Sequence, residues 1–155
     1  MIDYLDEILT ELDEPRSLPD PWMRLAALRR TVYETAIDGV AERNRQVRVT
    51  TYALANDDAS LKRQRDELMA HVKGMGWQST SQHFGETLSI TGAQPALTSA
   101  FQYVGCGFAD GILVPGRNSI RCSHLGYEKM LYWLQNRYTF IAFLPMLRHR
   151  TAGRV

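Results

Sequence analysis

The chain of 155 residues predicts a small α/β fold: a mainly parallel four-stranded sheet flanked by helices, with a helical segment ahead of it. Three observations lead there. Residues 47–55, VRVTTYALA, alternate and are rich in β-branched side chains, the pattern of a strand. Three further strand-like runs follow, each separated from the last by a helical pattern and by glycine or proline. Strand and helix alternating in this way imply right-handed crossovers and parallel pairing, with helices on both faces.

The elements follow in order. Asp3 can cap a short first helix carrying Tyr4, Leu5, Ile8, Leu9 and Leu12 on one face. The run from Glu14 to Pro21 ends it, and Asp20-Pro21 starts a second helix reaching about Gln46. Trp22, Leu25, Val32 and Val40 recur along that helix at helical spacing. This stripe must pack on something: it covers the α/β domain of its own chain or pairs with another copy, the sequence does not decide which, and Trp22, Leu25, Val32 and Val40 are its candidate interface residues. After the first strand, Asn56-Asp57-Asp58 forms a turn, and residues 60–73 form a helix with Ser60 as its N-cap. A polar second strand lies within 77–86, a loop spans 87–95 and a helix spans 96–104. A buried strand at 111–115, a loop at 116–126, a helix at 127–137 and a last strand at 140–144 complete the pattern. The expected division is a helical segment at 1–46, the α/β domain at 47–147 and a basic tail at 148–155.

Composition narrows the function. The net charge is +1, from 18 Lys and Arg against 17 Asp and Glu, which lacks the basic excess of a dedicated nucleic-acid binder. Cys106 and Cys122 are not spaced as C-x-x-C and read as reduced thiols, one or both buried. His71, His83, His124 and His149 show no metal-ligand spacing, so no metal and no cofactor is expected. The acidic first residues do not resemble a signal peptide, and no apolar run reaches bilayer length. A cytoplasmic protein without membrane contact is the expectation.

In such folds the functional crevice lies at the C-terminal ends of the strands, which brings together the turn at 55–59 and the loops at 86–95 and 115–123. At these loops the chain resembles the catalytic domain of serine recombinases of the resolvase and invertase type. That family has a strand ending in Tyr-Ala-Arg-Val-Ser, where this chain has Tyr52-Ala53-Leu54-Ala55-Asn56. Its Leu-x-x-Gln-x-x-x-Leu helix matches Leu61, Gln64 and Leu68. Its aromatic-acid pair, Ser-Gly loop and Arg-Pro-x-Leu match Phe84-Gly85-Glu86, Ser89, Gly92 and Gln94-Pro95-Ala96-Leu97. Its Asp-Arg-Leu-x-Arg matches 117–121, RNSIR. The resemblance implies a resolvase-like sheet with flavodoxin-like layering.

The departures bear on chemistry. Family members attack a DNA phosphodiester with serine, assisted by arginines that stabilise the developing charge. Asn56 stands at the serine position, Leu54 and Gln94 at two arginine positions, and Asn118 at a third; Arg121 keeps its charge. An amide cannot form the phosphoserine link. Ser60 is the fallback nucleophile, beside Asp57 and Asp58, whose carboxylates would repel a phosphate. The expectation is a catalytically inactive recombinase-like module that binds or regulates, as a homodimer or with a protein partner, in a DNA-linked process. Arg117, Arg121, Arg148 and Arg150 are the candidate DNA contacts, for weak binding only. The alternatives are an active or partly active recombinase or nicking enzyme, and an α/β domain binding a nucleotide or phosphate. A receiver-type site at Asp57 and Asp58 lacks its further aspartate and lysine, and Gly105, Gly107 and Gly111 do not form a dinucleotide fingerprint. Tyr127, Tyr132, Trp133 and Tyr138 read as core or an oligomer surface.

Overall fold

The structure, a computed structural model, describes residues 20–145. The expected helix after Asp3 and the tail with Arg148, His149 and Arg150 lie outside the described residues. Helix α1 (Pro21–Glu42) leads into β1 (Arg48–Ala55) and α2 (Asp58–Gly74). Next come β2 (Gln78–Ser79), β3 (Phe84–Thr87), α3 (Pro95–Gly105) and β4 (Gly111–Val114). A 3-10 turn (Arg117–Ser119), α4 (His124–Asn136) and β5 (Phe140–Phe143) follow. The sheet order is β2-β1-β4-β5, with β3 also paired to β1, and every pairing is parallel. Right-handed crossovers put α2 on one face and α3 and α4 on the other. There Phe101 of α3 meets Trp133 of α4 edge-on, 5.9 Å between centroids.

Five strands occupy four places because the second strand is split. Arg48 pairs with Gln78 and Val49 with Ser79, but Tyr52 pairs with Phe84. Residues 80–83 therefore bulge opposite Thr50 and Thr51, whose side chains are buried. The buried hydroxyls find partners in the bulge: Thr50 Oγ1 donates to the Gln82 carbonyl at 2.7 Å, and Thr51 Oγ1 lies 3.0 Å from His83 Nδ1. Burial pushes the His83 imidazole below its ordinary pKa. The polar residues of 80–83 are what a β-bulge needs and what a regular buried strand would exclude.

Helix α1 packs on α4 and β5. Leu25, Val32 and Val40, expected at an interface, are buried inside their own chain, and Trp22 alone of that set is exposed. Burying each of these aliphatic side chains is worth about 1.5–3 kcal/mol. The helix thus belongs to the same hydrophobic core as the sheet. An ion pair from Arg24 to Glu128, 2.9 Å, ties its first turn to α4. Helix α2 begins two residues earlier than expected. Its N-cap is Asp57 and not Ser60: the Asp57 carboxylate accepts from the Ser60 N–H at 2.7 Å, which holds it below its ordinary pKa. Asp58 in the first turn favours the same end of the helix dipole. Both Cys106 and Cys122 are exposed, against the expectation that at least one is buried. Of the aromatic cluster on the last helix, Tyr127 is core, whereas Tyr132 and Tyr138 are exposed.

At the opposite end of the sheet from the crevice, buried Asp110 joins the α1–β1 connection to β4. Arg45 grips it with two hydrogen bonds of 2.6 Å, and the Arg48 N–H adds a third at 2.8 Å. Burial alone would raise the Asp110 pKa; the arginine and backbone hydrogen bonds outweigh it and hold the carboxyl at about 2. A carboxyl with a depressed folded pKa stabilises the fold above its unfolded pKa, and that contribution is lost as pH falls through the folded value. Asp110→Ala is expected to lower the unfolding free energy by about 2–3 kcal/mol, the scale for hydrogen bonds to a charged group. Denaturant titrations of wild type and variant should converge between about pH 4 and pH 2.

Candidate functional site

Beyond the C-terminal ends of β1 and β4 the loops enclose a crevice of about 490 Å³. Its walls include Leu54, Asn56, Ser60, Asn118 and Arg121, five of the residues singled out from sequence. β1 delivers Leu54, the turn just after it Asn56, the first turn of α2 Ser60, and the loop after β4 Asn118 and Arg121. Ala55, Gln64, Leu88 and Ser119 complete the walls and were not singled out as site residues. Gln64 was legible as the glutamine of the Leu-x-x-Gln motif. Its Oε1 accepts from the Leu54 N–H at 3.2 Å, beyond the last β1 residue that pairs with β4. Leu88 and Ser119 carried no signal of their own.

Gln94 lies behind the wall, and its amide is fully used. Nε2 donates to the Tyr52 hydroxyl at 2.9 Å and to the Ser119 carbonyl at 2.7 Å, while Oε1 accepts from the Arg121 N–H at 2.8 Å. Tyr52 in turn donates to Glu86 Oε2 at 2.6 Å. Burial, reinforced by this Glu86 hydrogen bond, pushes the Tyr52 hydroxyl well above its ordinary pKa, so it stays protonated. The Glu86 carboxylate also accepts from the N–H groups of Ala96 and Leu97, at 3.1 and 3.3 Å. It supplies the cap that Gln94, at the N-cap position, does not provide. The network joins β1, β3, α3 and the 117–121 loop behind the crevice.

The candidate cations differ in availability. Arg117 is spent on its own loop: its guanidinium donates to the carbonyls of Ile120 and Cys122 and lies over the Tyr127 ring, 4.2 Å from the centroid. Arg117, a candidate DNA contact from sequence, is thus half-buried and bonded within its own loop. Burial raises the Tyr127 pKa to about 12, against the lowering effect of Arg29 and Arg117. Arg121 is exposed, and among the described residues no side chain pairs with its guanidinium. Arg148 and Arg150 lie outside the described residues. Ser60 Oγ accepts from Arg63 at 2.9 Å. The described residues contain no cluster of His, Cys, Asp and Glu able to hold a metal ion, and none of their helices is long and apolar enough to cross a membrane.

No protein-family model matches the chain, and no curated protein matches it. Among solved structures, the crystal structure of the C-terminal catalytic domain of ISC1926 TnpA, an IS607-like serine recombinase, is similar at a TM-score of 0.51. The alignment covers 70% of this chain and 78% of that one, at 15% sequence identity. The fold is serine-recombinase-like. At this identity the likeness establishes the recombinase-like fold and leaves its chemistry to the residues themselves.

Those residues give a direct test of the network. Glu86→Ala removes the acceptor of a buried tyrosine and the cap of α3 together, and is expected to cost about 2–4 kcal/mol. Tyr52→Phe is expected to cost about 1 kcal/mol. The double variant, compared with the sum of the two in urea denaturation, should show coupling between them; simple additivity would place the residues in separate interactions.

Proposed function

We propose that the chain is a recombinase-like module that does not cut DNA and acts by binding or regulating another protein, as a homodimer or with a different partner, in the cytoplasm. The supporting observation is the chemistry of the crevice. By the resemblance, Asn56, just beyond β1 in the crevice wall, stands where a nucleophilic serine would be needed, and a carboxamide cannot form the phosphoserine link. Phosphoryl transfer also needs several fixed positive groups at the reacting phosphate. Arg121 is the arginine lining this crevice, Arg117 is bonded to its own loop, and Leu54 and Gln94 are neutral. Exposed apolar side chains beside the crevice suit a protein partner better than a polyanion: Leu88 lines it and is exposed, and Ile90, two residues on in the same loop, is fully exposed. Weak, salt-sensitive DNA contact through Arg121 is compatible with this reading.

Ser60 favours the second reading, an active nicking enzyme, because its side chain does line the crevice. Against it, Asp57 and Asp58 sit at the same helix start. Supercoiled plasmid incubated with the purified chain should remain supercoiled, with no covalent DNA–protein adduct after denaturation. An adduct that disappears in Ser60→Ala would overturn the proposal. Light scattering at micromolar concentration checks assembly, with a species of twice the chain mass expected for the homodimer.

A further inference from the structure

Across Arg121 from the crevice lies a second hollow, of about 340 Å³. Trp22 from the start of α1 and His124 from the start of α4 face each other there, and Arg117, Asn118, Arg121 and Cys122 complete it. Trp22 is a large aromatic at the surface, 55% exposed, and its ring is held in place. His124 meets it at an interplanar angle of 88° with centroids 4.5 Å apart, and the Arg117 guanidinium stands 6.0 Å from its centroid. A core tryptophan would be covered, and a tryptophan serving no surface purpose would not be propped by two side chains.

Among the described residues the hollow is lined by Arg117 and Arg121 and by no carboxylate. The carboxylates of the flanking helices are committed: Asp20 accepts from the Trp22 N–H at 2.9 Å, and Glu128 pairs with Arg24 at 2.9 Å. Arg117 is fixed by carbonyl groups and stacking, so it holds its charge beneath the site without moving. Arg121 has its backbone anchored by Gln94 while its side chain is left open. A half-exposed aromatic ring beside an exposed guanidinium that no described side chain pairs with, in a hollow of this size, matches a planar heterocycle carrying a phosphate.

We propose that this hollow binds a phosphorylated nucleoside, with the base against the Trp22 ring and the phosphate on the Arg121 guanidinium. The same chemistry comes from a free nucleotide or from one nucleotide of a single strand. Arg121 lines both the hollow and the crevice, whereas Trp22 lies outside the crevice, so Trp22→Leu tests the hollow apart from any DNA cutting there.

The experiment is calorimetric titration of the full chain with 5′-AMP, a short deoxyadenosine oligonucleotide, adenosine and inorganic phosphate. Saturable binding of AMP or of the oligonucleotide is expected, with adenosine and phosphate about ten-fold weaker or worse. Trp22→Leu and Arg121→Gln should each weaken it about ten-fold at an unchanged unfolding midpoint. In the wild-type chain the Trp22 indole N–H resonance should shift on titration, which reports the site without any substitution. Tighter binding of the oligonucleotide than of AMP identifies a strand as the source; equal binding identifies the free nucleotide. No saturable binding of either at millimolar concentration, or binding that survives both substitutions with the Trp22 resonance unmoved, would overturn the proposal.

Discussion

Strand β1 must satisfy its hydrogen-bonding groups on both sides while almost entirely buried, and the other elements are arranged around that requirement. It is the one strand paired to three others, β2, β3 and β4. Where regular pairing stops, side chains take over. Gln64 serves the Leu54 N–H, the bulge serves Thr50 and Thr51, and Glu86 serves Tyr52. An unpaired polar group buried at any of these points would cost about 1–3 kcal/mol, a substantial share of the stability of a domain this size. The crevice is the place where the same strand finally emerges, so its wall inherits the rigidity of the core.

Much of this was legible in the sequence where hydrophobic period and local chemistry agree. The β-branched run of β1 and the apolar runs of β4 and β5 announce strands, and Asp20-Pro21 marks the start of α1. The gathering of Leu54, Asn56, Ser60, Asn118 and Arg121 followed from the rule that strand ends converge. What stayed hidden depends on contacts distant in sequence. The bulge at 80–83 is specified by hydroxyls thirty residues earlier, on β1. The stripe of α1 has a clear period, but period says nothing about whether the covering surface belongs to the same chain. At the turn after β1, Asp57 and Ser60 are both good caps, and the choice rests on backbone geometry no residue type reveals.

The arginines illustrate why counting charges misjudges a surface. Arg45 and Arg117 spend their donors inside the molecule, on a buried carboxylate and on backbone carbonyls. A guanidinium has a planar array of donors, so it can fasten several acceptors of an irregular loop at once. Such residues add to the formal charge while offering little to a partner. Gln94 has the opposite character. A neutral amide both donates and accepts, and here it joins a tyrosine, a carbonyl and an N–H that an arginine, which only donates, could not connect in the same way.

The split second strand also governs how copies of this chain can meet. The β2–β3 side is one edge of the described sheet and β5 the other, and a straight open edge would template further strands without limit. The extra residues at 80–83 interrupt its row of N–H and C=O groups and bend it away from a flat ribbon. Strand addition on that side is thereby discouraged. A contact made instead through helix faces and loops is finite and can be closed by symmetry.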